Sequence, residues 1–136
     1  MNTILRNVLA VIAGLIIGAI VNMALVMVGG ALIPAPAGVD VTNVESIRAS
    51  IHLFEAKHFV FPFLAHAIGT LIGALVASLI GGSNRMLLAM IVGVFGVLGG
   101  IAAAFMVPAP VWFMALDLVV AYIPMAWLGW KLSGKP

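Results

Sequence analysis

Asn22, His66 and Asp117 are the polar side chains that stand inside otherwise apolar runs of the chain. Asp117 is the only acid within such a run, His66 the only histidine well inside one, and Asn22 the only amide. Ionisable groups in a bilayer are costly and face a bundle interior, a partner or water. An aspartate beside a histidine can hold a cation or exchange a proton, because imidazole changes charge in the range of about pH 5 to 8. His66 lies seven residues past Phe59, and Asp117 seven past Pro110. At a helical rise of about 1.5 Å per residue, each sits about 10 Å in from the outer end of its run. Asn22, eight residues before Gly30, reaches a similar level from a third run. It also continues the file Ala10, Gly14, Gly18, which turns it towards a neighbouring helix. Thr70 lies one turn below His66. Asn22, His66 and Asp117 are therefore expected to converge in the outer half of a bundle. Two readings stand: a protonatable site for a solute or ion, and a clamp in which Asp117 accepts a hydrogen bond from His66 or Asn22. Intramembrane hydrogen bonds are often worth only about 0.6 kcal/mol, a small return for a buried acid.

A second group lies at His52, Glu55 and His58, spaced by threes so that one helix face presents two imidazoles and a carboxylate. The set is a candidate for metal. A Glu-x-x-His motif also occurs in di-iron bundles, but there it appears twice, with further glutamates. Lys57 adjoins the set, so a solvated helix face is the competing reading. Other chemistry is missing. There is no nucleophile elbow, and the absence of cysteine excludes thiol redox chemistry, iron–sulfur clusters and covalent c-type haem. No soluble domain is present to hold a nucleotide, and no cofactor is expected.

The elements that must position these residues follow from composition. Of 136 residues, 65% are hydrophobic and 7% charged, against about 45–50% and about 25% in soluble domains. So few charges cannot cover a soluble surface, and a net charge of +2 with scattered basic residues does not indicate nucleic acid. The expected class is an all-α membrane protein forming a single domain over 1–136. A spanning helix takes about 20 apolar residues, which gives four spans: about 8–33, 59–80, 86–107 and 111–130. Pro34-Ala35-Pro36, Gly81-Gly82-Ser83-Asn84 and Pro108-Ala109-Pro110 separate them. The connections after spans two and three are short, so two antiparallel hairpins are expected. The first run exceeds the about 7–15 apolar residues of a signal peptide, so it is expected to stay as a span. The endings Leu32-Ile33-Pro34-Ala35-Pro36 and Met106-Val107-Pro108-Ala109-Pro110 suggest an internal repeat of two hairpins.

Arg6, Arg85, Lys131 and Lys135 fall on one side of these spans, and Arg48 and Lys57 on the other. The positive-inside rule then puts both termini in the cytoplasm of a bacterial-type inner membrane. Trp112 suits the outer interfacial belt, Trp127 and Trp130 the inner one. Thr42 and Glu45 have the spacing of a capping box, and Val44, Ile47, Ile51 and Phe54 recur at helical spacing. An amphipathic interfacial helix over about 42–57 is predicted. Pro124 removes the donor for the Val120 carbonyl and predicts a kink in span four, two turns after Asp117.

Gly14 and Gly18, Gly69 and Gly73, and Gly96 and Gly100 are spaced by fours in spans one, two and three. Such pairs let helices approach closely in lipid, first inside the monomer and then between copies or partners. The leading functional expectation is transport or binding of a small solute or ion by a homo-oligomer. A non-catalytic membrane subunit or assembly factor, packed through its glycine faces, is the second. A metal-dependent enzyme at the outer surface is the third.

Overall fold

The computed structural model describes residues 1–136 and is helical throughout its ordered elements. α1 (Thr3–Leu32), α3 (Val60–Ile80) and α4 (Arg85–Met106) are continuous. The fourth span is divided into α5 (Val111–Val120) and α6 (Ile123–Ser133), and a short α2 (Val44–Ser50) lies between the first two spans. Four helical stretches, at Thr3–Leu32, Ala56–Ile80, Arg85–Met106 and Val111–Ser133, are long and apolar enough to cross a membrane. Their exposed faces carry Ile12, Ile16, Ile20, Leu98, Val119 and similar side chains. Helices of this length with faces so apolar suit a bilayer and not water, which marks the chain as a membrane protein.

α3 is the central helix, with α1, α4 and α6 packed around it. Buried small residues make this possible. A Cβ on Gly18 would lie 2.8 Å from the Gly69 carbonyl oxygen, and one on Gly73 2.6 Å from that of Gly14. The register of these approaches, Gly14 with Gly73 and Gly18 with Gly69, sets α1 antiparallel to α3. At its other edge α3 packs on Ala126 and Gly129 of α6 and on Leu88, Ala89 and Val92 of α4. Gly96 and Gly100 of α4 lie under the ring of Tyr122, where an added Cβ would come within 2.6 and 2.7 Å of ring carbons.

Polar contacts tie one end of the bundle. Arg6 Nε donates to the Ile80 carbonyl at 2.6 Å, and Asn7 Oδ1 accepts from the Gly82 N–H at 2.9 Å. Arg85 Nε donates to the Gly81 carbonyl at 3.0 Å. Arg6 and Arg85 thus sit at the same end, where free carbonyls at the end of α3 need donors. Lys131 lies 5.4 and 5.1 Å from the Trp127 and Trp130 ring centroids.

The segment between α1 and α3 differs from the single helix predicted over 42–57. Asn43, not Thr42, is the N-cap: its side chain accepts from Glu45 N–H at 2.9 Å and Ser46 N–H at 3.2 Å. The Thr42 hydroxyl instead donates to Asp40 at 2.6 Å. α2 ends at Ser50, and two 3₁₀ turns follow, Ile51–Leu53 and Ala56–Phe59, with extended backbone at Phe54 and Glu55. The break has a local cause. His58 Nδ1 accepts the Glu55 N–H at 2.8 Å, so that donor is unavailable to the helix. The bend folds Ile47, Ile51 and Phe54 over the end of the bundle, and Phe59 inserts between Trp112 and Phe113 at centroid distances of 5.6 and 4.9 Å.

Span four also departs from a simple kink. The helix is distorted at Tyr122 (φ −115°, ψ −75°), which stays in the right-handed region, and α6 follows with Pro124 in its first turn. Proline there lacks the N–H that would reach Val120 and its ring crowds that carbonyl. The result is a broken helix beside Asp117.

Candidate functional site

Asp117 stands in the last turns of α5, with a side chain that is 7% exposed, while that of His66 on α3 is 28% exposed. His66 Nδ1 lies 2.8 Å from Asp117 Oδ1. With the carboxylate ionised, the ring N–H donates and the carboxylate accepts. The second carboxylate oxygen, Oδ2, accepts the Tyr122 hydroxyl at 3.0 Å. The Tyr122 ring stacks on the His66 ring, 5.8 Å between centroids at 27°. Both acceptor atoms of a buried acid are therefore occupied, as low dielectric demands.

Tyr122 enters the site through the break. Residues five apart on a continuous helix stand about 140° apart around its axis, at 3.6 residues per turn. Asp117 and Tyr122 could not then share a hydrogen bond, and the turn at Ala121–Tyr122 swings the ring back. Sequence reasoning missed this residue. Its signals were a sole tyrosine two residues before Pro124 and the gap at Gly96 and Gly100 that its ring fills.

The structure brings His66 and Asp117 together and leaves Asn22 near them without a hydrogen bond to either. Asn22 instead lines a cavity of about 410 Å³ between α1, α3 and α4, together with His66, Thr70 and Tyr122. A second cavity, of about 390 Å³, is lined by Ile47, Ile51 and Phe54 of the bent segment, by Phe113, and by His66 and Asp117. His66, Gly100 and Ala103 border both. His66 Nε2 makes no hydrogen bond within the chain. The imidazole is thus bound to the acid on one edge and adjoins two cavities of the size that small-molecule sites occupy, about 300–1,000 Å³.

His52, Glu55 and His58 do not assemble the metal set that their spacing suggested, and no group of three metal-ligating side chains comes together. Their spacing lies on a helix that is broken, so the shared face does not form. His58 Nδ1 is used by the Glu55 N–H, and the Glu55 carboxylate pairs with Lys57 at 3.5 Å. Outside the spans, the Asp40 carboxyl is held below the usual aspartate range by the Thr42 hydroxyl and then by the Thr42 N–H.

The fold and the site define an all-helical membrane protein with four helices long and apolar enough to span and a histidine–aspartate–tyrosine unit packed among them. No family model matches the chain, and neither does any curated protein or solved structure.

Proposed function

We propose that the chain is a small inner-membrane protein that binds a small monovalent cation at the His66–Asp117–Tyr122 unit and exchanges it for a proton. The observation that carries the reading is the 2.8 Å His66–Asp117 contact at the boundary of two cavities. With a proton on both ring nitrogens, the imidazolium and the carboxylate cancel, and the unit has no net charge. Loss of the Nε2 proton leaves one negative charge on the unit, in surroundings where Coulomb attraction is little screened. A monovalent cation restores neutrality, and return of the proton displaces it. One proton leaves for each cation bound. Tyr122 holds the far carboxylate oxygen and so keeps Oδ1 aimed at the ring.

In this reading the spans form two antiparallel hairpins with both termini cytoplasmic. The shared end of Arg6 and Arg85 supports that orientation through the positive-inside rule. Because the chain lacks cysteine, Ser50→Cys and Ser83→Cys give clean labelling sites. An impermeant reagent applied outside should label the first and spare the second, and the reverse pattern would invert the topology.

The exchange itself is tested with purified protein in nanodiscs, weakly buffered, with tetramethylammonium as probe and an indicator dye as readout. Wild type should release about one proton per chain, the stoichiometry that charge balance sets. Asp117→Asn and His66→Gln should release none while remaining helical and monodisperse. Silence of the wild type towards tetramethylammonium and sodium would sink the reading.

A further inference from the structure

We infer that the solute of this site is a cationic amphiphile, which enters sideways from the bilayer through the cleft between α1 and α4. The inference rests on the exchange reading and adds to it the class of substrate and the route. The 410 Å³ cavity is open on one side, because α1 and α4 touch each other far less than each touches α3, which forms the floor. Its walls are mid-span residues. Gly18 stands 15 residues from the start of α1 and 14 from its end, and Gly99 lies 14 residues into α4. At about 1.5 Å per residue, these positions are about 20 Å from the helix starts, level with hydrocarbon and not with water. Whatever enters by this mouth comes from the lipid.

The lining is divided in the way an amphiphile is. Leu15, Ala19, Val92 and Phe95 present apolar surface, while His66 and Thr70 on the floor, Asn22 of α1 and Tyr122 add polar atoms. Asp117, behind His66, is the only acid in the spans, and no lysine or arginine borders the cavity. A cationic head is matched there and an anionic one is not. A cavity of about 410 Å³ that opens to lipid on one side takes the head and leaves the tail to lie along the apolar walls of the cleft.

Gly99 offers the test, because it borders the cleft and a Cβ added there meets nothing within 4 Å. Gly99→Leu therefore adds a side chain at the cleft from a Cβ position that meets no neighbour. Gly30 is equally free of neighbours and lies outside the cleft, so Gly30→Leu is the control. Proton release in nanodiscs is titrated with dodecyltrimethylammonium and with tetramethylammonium, which share a head. Wild type and Gly30→Leu should respond to both. Gly99→Leu should raise the half-saturation for the dodecyl probe, relative to that for tetramethylammonium, by about tenfold, within the range expected when an occupied apolar space is overfilled. An unchanged ratio would overturn the seating of the tail in this cleft. A wild type that answers tetramethylammonium and ignores the dodecyl probe would overturn the amphiphile and leave the exchange reading intact. A wild type silent to both ends both.

Discussion

Gly73 and Gly99 are both mid-helix glycines in apolar spans, yet alanine should affect them in opposite directions. In a helix interior, alanine is favoured over glycine by about 0.5–1 kcal/mol. At Gly99 nothing lies within 4 Å of the new Cβ, so that gain is unopposed. At Gly73 the Cβ would meet the Gly14 carbonyl oxygen at 2.6 Å and Val92 Cγ1 at 3.3 Å. The first obstacle is backbone and cannot turn aside as a rotamer can, so α1 must move off α3. Overpacking of this kind costs about 1–3 kcal/mol, and subtracting the propensity gain leaves a net loss of up to about 2.5 kcal/mol. α1 buries little besides Ala10, Gly14, Gly18 and Gly29, so it has few other contacts to absorb the shift. Reversible unfolding in mixed micelles, followed by tryptophan fluorescence, gives both numbers. Gly99→Ala should match or exceed wild type, and Gly73→Ala should fall below it. A Gly73→Ala protein as stable as Gly99→Ala would refute the close approach of α1 and α3.

Tyr122→Phe keeps the ring over Gly96 and Gly100 but removes the donor at 3.0 Å from Asp117 Oδ2. It should cost about 1–2 kcal/mol in the same unfolding assay, while Tyr122→Phe in an Asp117→Asn background should cost less. Asn43→Ala should speed amide exchange at Glu45 and Ser46 by about fivefold, the effect of losing a cap worth about 1 kcal/mol, and Thr42→Ala should not. The Asp40 carboxyl has a lowered folded value, so its turn is fully held above the ordinary aspartate pKa of about 3.9 and is lost as pH falls through the lowered one. Thr42→Val should move its carbon-13 titration back towards the ordinary value, and an unmoved titration would show that the hydroxyl is not the cause.

Much of this architecture was legible as length and polarity. Apolar runs closed by proline or glycine mark spans, since the bilayer sets their length, and matched depths on two runs brought His66 and Asp117 together on paper. What escaped reading depended on backbone hydrogen bonds that no period records. Ile47, Ile51 and Phe54 keep a helical rhythm because they cover the same cavity, although the backbone beneath them is bent, and Val44 at the start of the series stays exposed. The Glu55 N–H goes to His58 Nδ1, and an imidazole three residues away gives no sign in a sequence of which donor it will take. Thr42 and Asn43 are both good caps, and the choice between them was made by Asp40, which took the threonine hydroxyl. Pro124 announced a disturbance in span four, but a kink and a break differ by one peptide, and only the break delivers Tyr122 to Asp117. Asn22 was placed on the correct face by its file of small residues, and the distance that separates it from a hydrogen bond was not readable.

The central claim is that His66 and Asp117 act as one protonatable unit whose charge a cation can replace. Nitrogen-15 NMR of histidine-labelled protein in bilayers tests it most directly, since the chain has three histidines and His52 and His58 can be removed by substitution. At a pH where the His66 signal is that of imidazolium, added tetramethylammonium should convert it to the neutral form, and Asp117→Asn should abolish the conversion. A His66 signal that keeps one protonation state at every pH, with or without the cation, would contradict the account and leave the pair a structural clamp.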